Sequence, residues 1–246
     1  MPYLQLNSTP HIMLSSLALL WACLLFGGFL LGELNDEGSR RMPTWTRMTS
    51  SLTLVVISWL WWIFTHDTQY ETLALTFAIG MTFGWLGDLF MAKLIPLKNH
   101  VLGGIASFGL GHIAYIFGLA HASNYFHLTD RLLQAITLIT WLILALMLWY
   151  IIVYRDSEKS FLHKASLPYA LLLASTTGLA MGLALQHPAF MLITIGAGLF
   201  LFSDLILATE LFNGANWKYI GDVVWLTYGP GQMLIVLGIP LYLIFL

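Results

Sequence analysis

Charge is scarce in this chain. Only 9% of its 246 residues are charged and 59% are hydrophobic, whereas a soluble domain carries roughly 25% charged residues. So few charges cannot cover a globular surface, but a surface facing lipid needs none. The formal net charge of −2 supplies no basic field, so nucleic acid is not expected as a partner. Cysteine is nearly absent. With Cys23 alone, an internal disulfide and a cysteine-based metal cluster are both excluded.

What the chain does contain is long apolar runs. A helix needs roughly 20 apolar residues to cross the hydrocarbon core of a bilayer. Eight segments reach or approach that length: Ile12–Leu31, Met48–Phe64, Thr72–Ala92, Val101–Ala120, Leu132–Tyr154, Ala165–Leu185, Ala189–Phe212 and Val223–Leu246. Only helices and closed barrels satisfy the backbone in lipid, and continuous rather than alternating runs argue against a barrel. The expected fold is all-α: an integral membrane bundle of eight transmembrane helices. With short loops and no linker, residues 1–246 read as a single membrane domain. The first run is read as a span rather than a cleaved signal, since its N-terminal flank carries no Lys or Arg. Leu20-Trp21-Ala22-Cys23 is a poor lipoprotein box, because apolar residues continue past the cysteine.

Basic residues set the expected orientation. Arg40, Arg41 and Arg47 lie between the first two spans, Lys93 and Lys98 between the third and fourth, Arg155, Lys159 and Lys164 between the fifth and sixth, and Lys218 between the last two. Nine of the ten Lys and Arg residues thus share one side, leaving Arg131 on the other. Both termini are therefore expected outside the cytoplasm. The expected location is the cell membrane, most simply a bacterial inner membrane. Trp59, Trp61, Trp62, Trp149, Tyr150 and Tyr154 suit interfacial belts.

Two carboxylates fall inside the spans. Asp88 and Asp204 lie at similar depth on helices that run the same way. An ionisable group inside a membrane costs at least ~2.5–3.5 kcal/mol, so such groups normally face a cavity or a partner. The bland alternative is capping or snorkelling, with Lys93 near enough to pair with Asp88. Around these two residues a weak repeat is visible. Gly80, Gly87, Asp88, Leu89 and Ala92 correspond to Gly196, Ser203, Asp204, Leu205 and Ala208 at one constant offset, which also sets His112 opposite Tyr228. Four helices per unit would make the halves parallel repeats, though two Gly-rich apolar helices also resemble each other by chance. His112 sits at mid-span, where a buried histidine satisfied by a carbonyl is the ordinary outcome and a proton-handling one the alternative. Tyr228 and Gln232 share a helix face and serve equally as interhelical glue. Too few ligands lie at depth for a metal site, so no metal or other cofactor is expected. Glu210 and Asp222 lie at helix ends and are expected to be solvated. Trp45, Arg47 and the first basic loop are candidates to meet phospholipid headgroups.

Four stretches, taken in order, resemble the motifs of one family. They are Leu86-Gly87-Asp88-Leu89-Phe90; Phe108 with Gly111-His112 and Tyr115; Pro168-Tyr169; and Gly196-Ala197 through Phe200 and Ser203-Asp204 to Leu207-Ala208. Together they are similar to the YhhN family of lysoplasmalogenase-like multipass proteins, over about Gly80 to Gln232. Two departures stand out. Arg47-Met48 occupies the place of a frequent Lys-Pro. Tyr228-Gly229-Pro230-Gly231-Gln232 replaces Tyr-Tyr-x-Ala-Gln, and Pro230 removes a helix hydrogen bond.

The resemblance implies hydrolysis of the vinyl ether of a lysoplasmalogen to a fatty aldehyde and a glycerophospho-headgroup. The partners it implies are a lysophospholipid substrate and the bilayer. Vinyl ethers hydrolyse by protonation at carbon, which forms an oxocarbenium ion that water then attacks. One neutral carboxylic acid and one carboxylate suit that chemistry, much as in glycosidases. Asp88 and Asp204 are the implied catalytic pair. His112, Tyr115, Tyr169, Ser203, Tyr228 and Gln232 are the implied substrate-binding residues, positioning the ether oxygen, the water or the headgroup. The competing class is a proton-coupled transporter or lipid-binding membrane protein, which paired intramembrane aspartates in parallel repeats would also suit.

Overall fold

The computed structural model describes residues 8–155 and 160–245. Lys159 and Leu246, both part of the sequence expectations, lie outside the described residues. Eight helices follow one another: α1 (Ser8–Leu31), α2 (Thr44–Phe64), α3 (Glu71–Met91), α4 (His100–Tyr125), α5 (Arg131–Trp149), α6 (Phe161–Ala184), α7 (Met191–Asn213) and α8 (Ile220–Phe245). A π-helical turn, Tyr150–Tyr154, extends α5, and a 3-10 turn, Pro188–Phe190, leads into α7. No strand occurs among the described residues. All eight helices are long and apolar enough to cross a membrane.

The boundaries differ from the sequence expectation where local chemistry overrides hydropathy. α2 begins at Thr44, directly after Pro43 in extended conformation (φ −61°, ψ 151°). Proline is at home where a helix starts, because the missing N–H is not needed there. Arg47 is therefore inside the first turn rather than before the helix. α3 ends in a Schellman-type turn with Lys93 at φ 60°, Lys93 N–H donating to Phe90 O and Leu94 N–H to Leu89 O. Lys93 is exposed at that turn. Asn99 and Asp130 cap α4 and α5, each accepting a backbone N–H three residues on. The π turn after α5 was not legible, since hydropathy does not register hydrogen-bond period.

The arrangement reads as two sets of four. α1 packs on α2, α2 on α3 and α3 on α4; correspondingly α5 packs on α6, α6 on α7 and α7 on α8. The sets interlock reciprocally through α4 against α6 and α8 against α2. α1 and α5 are the peripheral members, with only 22% and 17% of their central residues buried. Their outward leucines and isoleucines, such as Leu19, Leu30, Ile136 and Ile143, are exposed, as a lipid-facing surface requires. Cys23 is also on the outer face of α1.

Close crossings make the core. At the α7–α8 crossing Gly196 and Gly231 meet backbone to backbone, and a Cβ on Gly196 would lie 2.6 Å from Gly231 O. The carbonyl cannot retreat without moving a helix, so the pair sets the interhelical distance. On α3, Gly80, Gly84 and Gly87 leave room for Tyr115, Gln232 and Phe108 respectively. The α3 glycines thus admit side chains of α4 and α8 into the centre of the bundle.

Candidate active site

Asp88 is buried on α3, and one of its oxygens accepts from Ser51 Oγ at 2.5 Å and from Tyr228 Oη at 3.0 Å. The chain of donors continues inward. Gln232 Nε2 donates to Tyr228 Oη at 3.2 Å, and Tyr115 Oη donates to Gln232 Oε1 at 3.2 Å. Gln232 therefore satisfies both ends of its amide inside the core, where an unpaired polar group would cost roughly 1–3 kcal/mol. Four of the residues singled out from sequence form one connected line: Tyr115, Gln232, Tyr228 and Asp88.

Asp204 is half-buried on α7 and accepts from Tyr169 Oη of α6. Ser203 is fully buried, with its hydroxyl on Phe200 O at 2.8 Å and a weaker approach to Asp204 at 3.4 Å. His112 is buried behind these groups. Its Nδ1 lies 2.8 Å from Thr176 Oγ1, its Nε2 has no hydrogen-bond partner, and its ring meets Tyr115, Tyr169 and Phe200 edge to face.

Both aspartates line one cavity of about 530 Å³. Its inner wall is Asp88, Asp204, Tyr228, Phe108 and Trp225; its mouth carries Glu37, Arg40, Lys93, His100 and Glu210. The mouth therefore lies at the basic end of the bundle. A second, apolar groove of about 100 Å³ adjoins it. α4 and α5, although consecutive, do not pack as a helix pair, and the gap between them is this groove. Val101 and Ile105 line it from α4, Trp141, Leu144 and Leu148 from α5, Tyr169 and Leu173 from α6, and Leu201, Leu205 and Ala208 from α7. The π turn contributes Ile152 and Val153. Phe108 and Asp204 belong to both spaces, so the carboxyl of Asp204 stands where a polar chamber meets an apolar one.

The two spaces divide the residues expected from sequence. Asp88, Asp204, Tyr169 and Tyr228 line one or both. His112, Tyr115, Ser203 and Gln232 line neither, and stand behind the wall, where they fix the orientation of the residues that do. One alternative is set aside and one expectation is corrected. Lys93 makes no ion pair with Asp88, because the Schellman turn directs it to the cavity mouth, and Ser51 and Tyr228 hold the carboxylate instead. Asp222 is not solvated. It is fully buried and accepts the backbone N–H groups of Arg41 and Met42 at 2.7 and 3.0 Å, tying the α1–α2 loop to α8. Ser51, Thr176 and Phe108's double position were missed. The signal for Ser51 was its helical phase: Thr44, Arg47, Ser51 and Ser58 recur at helical spacing and give that face of α2 a polar stripe. The metal-ligand grouping found among the described residues, His66, Asp67 and Glu71, sits on the α2–α3 turn and lines neither cavity.

The model of the YhhN family matches residues 42–239. The chain belongs to that family, and the match begins well before the Gly80 limit read from motifs, taking in Arg47 and Ser51. No curated protein and no solved structure matches the chain.

Proposed function

We propose, from membership of the YhhN family, that the protein is a membrane-embedded ether hydrolase of the lysoplasmalogenase type. The observation that carries the reading is the position of Asp204, which shares one cavity with Asp88 and also borders the apolar groove. A single-chain lipid has that same division. Its hydrocarbon chain suits the α4–α5 groove, its headgroup suits the cavity with the charged mouth, and its vinyl ether joins the two.

In this reading the two aspartates divide the work. Protonation falls on the vinyl carbon attached to the chain, which would be on the groove side. Asp204 is there, and acts as the proton donor. The proton forms a C–H bond, the C=C electrons supply it, and the positive charge moves to the carbon–oxygen unit as an oxocarbenium ion. Water adds to the carbon next to the ether oxygen, from the polar side. Asp88, held by two hydroxyls, accepts the water's proton and stabilises the cation. The hemiacetal then collapses to the aldehyde and the free glycerol hydroxyl, its O–H proton going to the leaving oxygen; one water is consumed, and the proton now on Asp88 passes back to Asp204 through the shared cavity to reset the pair. The neutral acid and ionised base share the work as paired carboxylates do elsewhere. Tyr228 orients Asp88, with Gln232 and Tyr115 behind it; Tyr169 orients Asp204; His112 and Ser203 support that wall.

In this reading the eight helices span the cell membrane with both termini outside, so the cavity mouth faces the cytoplasm. The reciprocal packing of the two four-helix sets favours a second reading, proton-coupled transport. Purified protein in nanodiscs and in proteoliposomes separates the two. Release of fatty aldehyde from lysoplasmalogen, without any imposed proton gradient, is the expected result. Gradient-dependent flux of a lysolipid with no aldehyde would favour transport.

A further inference from the structure

Arg47 presents a buried cation with no carboxylate in direct contact; Asp88 and Asp222 act on it only through space. It is 6% exposed, in the first turn of α2, and it lines the cavity that holds Asp88 and Asp204. Its guanidinium lies over the indole of Trp225 at 5.2 Å. One terminal nitrogen donates to Thr44 Oγ1 at 3.0 Å, while the buried Nε has no partner. Arg47 forms an ion pair with no carboxylate among the described residues. The nearby acids are engaged elsewhere. Asp222 is taken by two backbone N–H groups and Asp88 by Ser51 and Tyr228. A guanidinium has five donors in a rigid fork matched to phosphate oxygens. Leaving such a group buried and unpaired is unfavourable unless an anion joins it.

We propose that Arg47 is the anchor for the phosphate group of a lysolipid, fixing the headgroup in the polar cavity while the chain lies in the α4–α5 groove. The proposal rests on the lysolipid reading above and names its phosphate subsite. Trp225 holds the guanidinium plane against the wall, so that its free edge faces the cavity. Arg40 and Lys93 at the mouth are matched by Glu37 and Glu210, so the fixed contact comes from the buried Arg47.

The test uses ligands that cannot be hydrolysed by this route, so it stands whether or not aldehyde release is ever found. Binding to the purified full chain is measured by thermal shift with a 1-O-alkyl-glycerophosphocholine and with the matched 1-O-alkylglycerol, which lacks the phosphate. Wild type is expected to bind the phosphorylated lipid about tenfold or more tightly than the alkylglycerol, as a charged hydrogen bond implies. Arg47→Gln should lose that difference while still binding the alkylglycerol. Arg47→Lys, a cation without the fork, should keep part of it. Equal binding of both ligands by wild type, an unchanged preference in Arg47→Gln, or equal loss of both ligands in that variant would each overturn the anchor. Protection by inorganic phosphate as strong as that by the lysolipid would also overturn it, since the site would then be one for free phosphate.

Discussion

Asp88 and Asp204 face one cavity from different helices, and each is held by a hydroxyl from the helix before its own: Ser51 of α2 for Asp88, Tyr169 of α6 for Asp204. The same neighbour relation thus occurs in both four-helix sets. What differs is the other side. Asp88 has Tyr228, whereas Asp204 opens onto the apolar groove.

The groove makes substrate shape testable. In the proposed reading a single chain lies between α4 and α5, and a second acyl chain would add bulk at the junction. Lysoplasmalogen is expected to be cleaved well and the two-chained plasmalogen poorly. Ala145 lines the groove, and Ala145→Phe should lower kcat/KM for long-chain lysoplasmalogen about tenfold or more relative to a short-chain analogue. A chain-length series assayed for aldehyde would show it. Equal turnover of one- and two-chain lipids would count against the pocket.

The proposed orientation rests on nine of the ten Lys and Arg residues falling on one side of the chain. In a Cys23→Ser background, single cysteines replacing Tyr3 and Asp36 can be challenged with an impermeant maleimide on intact cells. Labelling at 3 and not at 36 is expected. The opposite pattern would place the cavity mouth outside the cytoplasm.

The α7–α8 crossing predicts a stability effect separate from chemistry. Gly196→Val must push against the Gly231 carbonyl, and overpacking of this kind typically costs about 1–3 kcal/mol or more. The variant should melt at lower temperature, as read by thermal unfolding in detergent. A Tm equal to wild type would mean that the helices do not cross so closely.

Tyr228→Phe removes one donor to Asp88 without removing the carboxyl. Activity should fall by an order of magnitude or so, on the scale of one positioning hydrogen bond, with Tm changed little. The pH profile is expected to change as well, because one of the two hydroxyls on the Asp88 carboxylate is gone. The high-pH limb reports the proton donor, which must be protonated to act, so kcat should fall as pH rises. A variant with an unchanged profile and unchanged rate would remove Tyr228 from the site.

The helices were legible because apolar runs of span length leave few other options in lipid, and the aspartates because an ionisable group at that depth needs a reason. Tyr115, Gln232 and Tyr228 were legible as polar residues on inward faces, though not as one hydrogen-bonded line, since that line depends on α3 glycines admitting side chains from two other helices. Three features were hidden. Pro43 lets α2 begin early enough to bury Arg47. Asp222 reads as a solvated helix end until the α1–α2 loop is seen folded onto it. The groove exists because α4 and α5 part company, and no local pattern in either helix announces a missing contact.

The central claim is that Asp88 and Asp204 act as one acid/base unit, and aldehyde release from lysoplasmalogen by Asp88→Asn, Asp204→Asn and the double variant tests it most directly. Asparagine keeps the size and removes the titrating group, so Tm should change little. Each single variant is expected to lose about 10²–10⁴-fold or more, the usual contribution of a general acid or base. The double should be scarcely worse than either, because residues acting as a unit are not additive. Near-normal aldehyde release in both single variants, accompanied by a lowered Tm, would show the aspartates to be structural and would contradict the mechanism.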